Sequence, residues 1–486
     1  MAEPTLKQKT AKGIFWGGIS NGVQQLLGAF FGLFLARLLT PDDYGVIGML
    51  VIFTQIAGTL QESGFTAALA NKRNVTHADY NAVFWFSTGL SACLYLALFA
   101  CAPLIAHFYG KPELTPLARY LFIGFFIASL GVAQNAYLFR NLMVKQKAIA
   151  LMTGLVVSNT VGVIMALYGS AYWALATQTI LYVAVISCCY WHFSPWRPTL
   201  SLDLKPLKGM LSFSSKLLLT NIFTQINNNI LSVIFGKLYS SKDVGYYTQA
   251  NKWNYMGYSL IAGMINSVAQ PVLSSISDDG ERQRRAFRKM LRFTAFAAFP
   301  SMLGLSFIAP EFITIALTDK WQTSAVILQL LCVAGAFIPL NNLFSNLLIS
   351  KGKSNIYLGC TVTQGVLQIL CALIGYPYGF LPMIAVYAAV NICWLFVWHY
   401  FVWRAIGLSL PAMLKDTLPF ALVAVGAIAV AYGLTRSIEN LYLLLLGKVA
   451  ITAVVYTIIM WGSRAVTFRE SLSYLRSALS GTKPTL

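Results

Sequence analysis

The groups in this chain able to bind or move something sit where water is scarce. Glu62, Lys216, Lys252 and Lys448 each interrupt a long apolar run. An ionisable side chain there is costly and marks a cavity, a relay or a paired contact. An ammonium in a cavity acts as a point charge for phosphate, which is the chemistry Lys252 and Lys216 offer. Arg37 and Lys237 stand at matching ends of two apolar runs. They suit reception of an anion, and equally capping of helix C-termini or pairing with Asp43 and Asp243. Glu62 is a candidate carrier of a coupling proton, with neutralising a lysine or binding a hydroxyl as its alternatives. Amides supply the second chemistry. Asn21, Gln24 and Gln25 recur at helical spacing with Gly17, Gly28 and Gly32, and Asn221, Gln225 and Asn228 repeat the pattern with Thr224 and Ser232. Such faces either hydrogen-bond sugar hydroxyls in a hydrated cavity or pack helices closely. Lys216 lies about 140° from Asn221 around a helix of 3.6 residues per turn, so it leaves that face and is placed to snorkel. Lys448 reads as a snorkelling or headgroup-facing residue.

The elements that position these groups follow from apolarity. Of 486 residues, 57% are hydrophobic and 10% charged, against about 45–50% and 25% in soluble domains. So little charge cannot cover a water-facing surface. A cytosolic enzyme, a disordered chain and a nucleic-acid-binding protein are excluded; the net charge of +19 resides in short loops between apolar runs. A spanning helix needs about 20 mostly apolar residues. The runs predict fourteen spans: 13–36, 44–69, 83–106, 117–138, 148–168, 171–192, 210–236, 244–272, 291–313, 323–349, 356–375, 379–402, 417–434 and 441–462. The fifth and sixth are parted only by Tyr168-Gly169-Ser170, the eleventh and twelfth only by Tyr376-Pro377-Tyr378. On span 2, Gln55, Thr59 and Thr66 share the face of Glu62, about 10 Å from one end. On span 8, Gln249, Ser259 and Asn266 accompany Lys252, about 12 Å from the other.

Charge orients the spans. One alternate set of loops carries most of the Lys and Arg, including the block Arg282, Arg284, Arg285, Arg288 and Lys289. The opposite set holds only Arg37, Lys111, Arg119, Lys237, Lys242, Lys320 and Arg436. The positive-inside rule places both termini in the cytoplasm and makes the basic block a topology signal in contact with lipid headgroups. The first apolar run is too long for a signal peptide and is retained as a helix. The eight cysteines lie in apolar stretches without C-x-x-C spacing and read as small apolar residues. The four histidines form no H-x-x-x-H pair, Gly352-Lys353-Ser354 lacks the earlier glycine of a phosphate-binding loop, and no outer loop is long enough for a catalytic domain. No metal, cofactor or enzymatic activity is expected.

The chain repeats at an offset of 200. Ser20-Asn21 matches Thr220-Asn221, Gln25 matches Gln225, Ala36-Arg37-Leu38 matches Gly236-Lys237-Leu238, and Asp43-x-Gly45 matches Asp243-x-Gly245. The offset contains six spans, so both copies run the same way through the membrane. Parallel repeats of this kind suit a two-lobed transporter. The expected organisation is an N-lobe over 1–200, a C-lobe over 201–403, and spans 13 and 14 with a tail over 404–486.

Three stretches carry a family likeness: FLARLLTPDDYGVIGML (34–50), ESGFTAALANKRNVTHADYNAVFW (62–85) and AQNAYLFRNLMVKQKAIA (133–150), continued more weakly by IFGKLYSSKDVGYYTQANKW (234–253). They resemble bacterial polysaccharide exporters, in particular lipid-linked oligosaccharide flippases of the colanic-acid-exporter type. The resemblance implies the multidrug/oligosaccharidyl-lipid/polysaccharide fold, alternating access, and a cavity lined mainly by spans 1, 2, 7 and 8. It implies residence in the bacterial inner membrane and a substrate whose undecaprenyl pyrophosphate meets Lys252, Lys216, Arg37 and Lys237. Its sugars would meet Asn21, Gln24, Gln25, Asn221, Gln225 and Asn228. Partners would be membrane lipids and the polysaccharide assembly machinery, with no nucleic acid. In the lipid II flippases of this fold, spans 13 and 14 help form a groove for the lipid tail. A drug/cation antiporter shares the fold, but its site would want acids and aromatics. The cavity spans here offer two lysines and one acid.

Overall fold

In the computed structural model, residues 6–62, 69, 72, 74–201, 203, 205–463, 467–470 and 473 are described, apart from the side chains of 6–21, 62, 208–217 and 220. Among the described residues all regular structure is helical. That is what a hydrocarbon environment requires, because each backbone N–H and C=O must be satisfied inside its own segment. The helices are α1 (Leu6–Leu38), α2 (Pro41–Glu62), α3 (His77–Tyr109), α4 (Leu114–Ser129), α5 (Val132–Arg140), α6 (Val144–Leu167), α7 (Ala171–Phe193) and α8 (Leu207–Leu238). They continue as α9 (Ser241–Ser275), α10 (Gly280–Leu317), α11 (Gln322–Gly335), α12 (Ile338–Ser350), α13 (Ser354–Gly375), α14 (Phe380–Ile406), α15 (Leu410–Thr435) and α16 (Leu441–Gly462).

Ten segments among the described residues are long and apolar enough to cross a bilayer, and the pair α4–α5, bent by 42°, makes an eleventh. Both narrow separations expected from the sequence exist. The chain leaves helix between Leu167 and Ala171, and a 3-10 turn at Tyr376–Tyr378 parts α13 from α14. Two expected single spans are interrupted. The fourth breaks at residues 130–131, and the tenth at 336–337, where Pro339 opens α12. Proline suits that first turn, having no N–H to offer the preceding helix.

The chain divides into two compact units, residues 1–245 and 246–486, with the division in the first turn of α9. In the first unit α2 packs on α8, α3 on α4, and α6 on α7 with α1 beside it. The 193–207 segment straps across the start of α3. Asn81 accepts from the Thr199 amide at 2.9 Å and donates to the Ser201 carbonyl, while the Trp85 indole donates to Thr199 O at 2.7 Å. Trp196 anchors the strap in a buried cluster with Tyr80, Val83, Phe84, Val132 and Ala136.

The Asp-x-Gly repeat has a double explanation within this unit. Asp43 caps the start of α2 by accepting from the Thr40 amide at 2.8 Å, and at α9 the Ser240 hydroxyl accepts from the Asp243 amide at 3.2 Å while donating to its carboxylate at 2.6 Å. Each glycine permits a backbone crossing. A Cβ on Gly45 would stand 1.6 Å from the Ser241 carbonyl oxygen, and one on Gly245 1.7 Å from that of Pro41. The starts of α2 and α9 therefore touch reciprocally, backbone to backbone, and the Ser241 hydroxyl bonds the Asp42 carboxylate.

In the second unit α10 is the hub, packing on α11, α15 and α16, while α14 packs on α11, α12 and α13. Charge pins the last two helices to it. Asp416 of α15 accepts from Arg288 at 2.6 and 3.1 Å and from Arg292 at 3.4 Å. Lys448 of α16 lies 2.6 Å from Glu311 of α10, both nine-tenths buried, and 4.5 Å over the Phe307 ring. The snorkelling role expected of Lys448 is thereby corrected. A carboxylate within reach outcompetes a longer path to the interface, since a pair removed from water holds only if each charge finds its partner.

Candidate functional site

Polar groups converge at one place in the first unit. A cavity of about 400 Å³ is lined by Gln55, Gly58, Thr59 and Gln61 of α2, Ala128 of α4, Gly131, Val132 and Asn135 at the helix break, Val183, Ile186, Ser187 and Tyr190 of α7, and Gln225 of α8. The break makes the room. A Cβ on Gly131 would lie 2.9 Å from the Ser187 hydroxyl. Only glycine lets the chain approach α7 so closely, and there it turns through 42°. The carbonyls released by the turn are taken up by α7: the Trp191 indole donates to Leu130 O at 2.6 Å and the Ser187 hydroxyl to Ile127 O at 3.3 Å. Irregular backbone at membrane depth persists only where protein or a cavity satisfies it, and transporter sites gather at such discontinuities. Among the described residues, Asn135, one helical turn beyond, keeps a buried side-chain oxygen with no partner, and neighbouring Gln134 is fully buried with both amide atoms unpartnered.

In the second unit the distinctive group is Lys252 on α9. It is half-buried, and among the described residues no carboxylate, carbonyl or hydroxyl partners its ammonium. Thr248 and Gln249, one turn earlier on the same face, also keep buried polar atoms unpartnered. Several amides elsewhere in this unit bond one another. The Asn391 side-chain oxygen accepts from Gln364 at 3.1 Å and Gln368 at 3.2 Å, and Asn346 donates to Asn266 at 2.9 Å. Such pairs are helix-joining bonds of the kind common between spans.

The remaining sequence candidates are distributed as follows. Gln225 lines the cavity; Asn221 and Asn228 are exposed on α8; Gln24 and Gln25 are half-buried on α1. Arg37 is exposed at the end of α1, and Lys237 donates to the Phe108 carbonyl at 2.6 Å while lying 4.9 Å over that ring. The side chains of Asn21, Glu62 and Lys216 lie outside the described residues. The sequence reading missed Asn135 and Gln61; the signal available was Gly131 followed by Gln134-Asn135 inside an apolar run.

Comparison with known proteins bears on what this site serves. The profile of the family described as polysaccharide biosynthesis protein matches residues 34–326. The chain belongs to that family. Among its members' relatives, the lipopolysaccharide biosynthesis protein WzxC of Escherichia coli (strain K12) is 25% identical over 379 residues, 76% of each chain. The succinoglycan biosynthesis transport protein ExoT of Rhizobium meliloti (strain 1021) is 21% identical over 486 residues, 98% of this chain and 97% of its own. Among solved structures, the lipid II flippase MurJ in its inward closed conformation superposes with a TM-score of 0.76 at 17% identity, covering 94% of this chain and all of MurJ. That likeness gives the family member its fold: an all-helical, multi-pass membrane protein of the MurJ type.

Proposed function

We propose that this polysaccharide biosynthesis protein is a flippase that moves an undecaprenyl-pyrophosphate-linked oligosaccharide repeat unit from the inner to the outer leaflet of the bacterial cytoplasmic membrane by alternating access. Polymer export would follow, with the assembly machinery as partner. The observation that carries the reading is the half-buried Lys252 ammonium, which has no partner among the described residues and interrupts an apolar run of a membrane protein. Stranded there it is costly, and an anionic headgroup entering with its lipid removes that cost. The relatives WzxC and ExoT and the structural neighbour MurJ support the same reading. The amides of α1 and α8, including Asn21, Gln24, Gln25, Asn221, Gln225 and Asn228, bind sugar. Lys216, Arg37 and Lys237 assist the pyrophosphate along its route, and Glu62 is the candidate coupling acid. No bond of the substrate is made or broken.

Fourteen spans with both termini cytoplasmic complete the proposal, arranged as an N-lobe (1–200), a C-lobe (201–403) and a C-terminal pair (404–486). Of the fourteen, α1, α8 and α9 carry the amides and lysines assigned to the substrate.

The test is leaflet transfer in liposomes carrying a fluorescent undecaprenyl-pyrophosphate disaccharide, read by headgroup accessibility to an impermeant quencher. Wild type is expected to equilibrate the probe. Lys252→Ala is expected to slow transfer roughly 10–100-fold, the worth of one charge-assisted hydrogen bond. Folded wild type that moves no lipid-linked sugar but exchanges organic cations for protons overturns the proposal in favour of an antiporter.

A further inference from the structure

We infer that the seam between α10 and α15 holds the phosphate of an anionic phospholipid of the surrounding bilayer, through Arg288 and Arg292. The inference goes beyond the flippase reading and needs only that the chain is embedded in a membrane. Along the first four turns of α10 the structure answers its cations unequally. Arg284 meets both oxygens of Glu281 at 2.8 and 3.0 Å, and Lys289 meets Glu470 at 2.9 Å. Each of these two charges has a carboxylate of its own. Arg288 and Arg292 share one, Asp416. Arg288 takes both its oxygens at 2.6 and 3.1 Å, and Arg292 reaches it at 3.4 Å. Among the described residues, which include every Asp and Glu side chain of this unit, no second carboxylate meets either guanidinium. The seam keeps positive charge in surplus, and Lys415, exposed beside it on α15, adds to that field.

The surplus is within reach of a ligand. The Asp416 side chain is 4% exposed, whereas those of Arg288 and Arg292 are 34% and 41% exposed. A guanidinium carries five N–H donors, and Asp416 takes two from Arg288 and one from Arg292. The rest keep the fork geometry that phosphate oxygens accept. Depth selects a lipid. Arg292 stands at the start of the expected span 291–313, about 6 Å further along the helix than Arg288. A cation at that threshold has little water and lies at the level of lipid phosphates. Apolar surface continues from it. Phe293 is exposed beside Arg292, and Leu414, Leu418 and Leu422 are exposed at i, i+4 and i+8 on α15, on either side of Asp416 in sequence. Exposed surface on a spanning helix faces the bilayer, so acyl chains can lie along this stripe while the phosphate meets the arginines.

The experiment titrates the full-length protein in detergent with phosphatidylglycerol, with zwitterionic phosphatidylcholine, and with glycerophosphoglycerol, the first headgroup without its chains; native mass spectrometry counts what stays bound. Wild type is expected to bind phosphatidylglycerol about tenfold more tightly than phosphatidylcholine, as charge-assisted hydrogen bonds supply. Arg292→Gln leaves the Arg288–Asp416 pair in place and is expected to remove most of that preference, and Arg292→Lys to keep part of it. Lys289→Gln deletes a charge of the same sign three residues away and is expected to leave the preference unchanged. Equal binding of the two lipids by wild type overturns the site whatever the variants do. Equal losses in Arg292→Gln and Lys289→Gln reduce the effect to diffuse surface charge and overturn it as well. Glycerophosphoglycerol that displaces the lipid at equal concentration makes this a site for soluble phosphodiesters instead. No transport enters the readout, so the flippase reading stands or falls separately, by the leaflet assay.

Discussion

Lys252 and Lys448 show how the same residue type divides by its partners. Both interrupt apolar runs, yet among the described residues one has no partner and the other is tied to Glu311 at 2.6 Å. Removing one member of a buried pair strands the other, at a cost of about 3–5 kcal/mol, whereas replacing both with apolar groups is close to neutral. Lys448→Met is therefore expected to lower the melting temperature in detergent, followed by tryptophan fluorescence, and Lys448→Met/Glu311→Leu to recover most of the loss. A single variant as stable as wild type removes the pair as a stabilising contact. Lys252→Ala, by contrast, is expected to leave the melting temperature unchanged or raised while slowing transfer. The candidates Lys252 and Gln225 were legible because polar groups stand out in apolar runs. The Lys448 pairing was not, since Glu311 lies at the end of an expected span and 137 residues away in sequence. Only tertiary packing brings the two together.

At the scale of elements, periodicity and apolarity fixed where helices run, and even the narrow gaps at 168–170 and 376–378 proved to be helix ends. The break at Gly131 escaped because its cause is not local. It depends on Ser187 and Trp191, more than fifty residues downstream, which close on the glycine and donate to the freed carbonyls. The repeated Asp-x-Gly was legible as a repeat but not as a crossing. Its glycines exist because α2 and α9 meet through their backbones, with Ser241 buried in the contact. Alanine at Gly45 cannot be accommodated 1.6 Å from a carbonyl oxygen, so the two helix starts must part. In a background with the eight cysteines replaced by alanine, Ser241→Cys is expected to react slowly with an impermeant maleimide, and several-fold faster when Gly45→Ala is added. Equal rates in the two chains would show that the crossing does not shield Ser241.

For the whole molecule, the decisive question is whether the polar helices α8 and α9 cross the membrane. Helices that line a hydrated cavity need an apolar surface on only part of their circumference. The basic loops argue for crossing. Lys205 and Lys208 stand at the start of α8, Arg282, Arg284 and Arg285 follow α9, and the short turn between the two holds Lys237 and Lys242 at its edges. If α8 and α9 both cross, residues 239–240 face outward while 205 and 277 face the cytoplasm, and an even total returns both termini to the cytoplasmic side. Fusing alkaline phosphatase or a green fluorescent protein after residues 240, 278 and 486 reads this directly. The phosphatase is expected to be active only at 240, and the fluorophore to form at 278 and 486. Fluorescence at all three would mean that α8 and α9 do not cross. The repeat of six parallel spans would then fail with them, because the copy beginning at Asn221 would no longer run through the membrane in the sense of the copy beginning at Asn21.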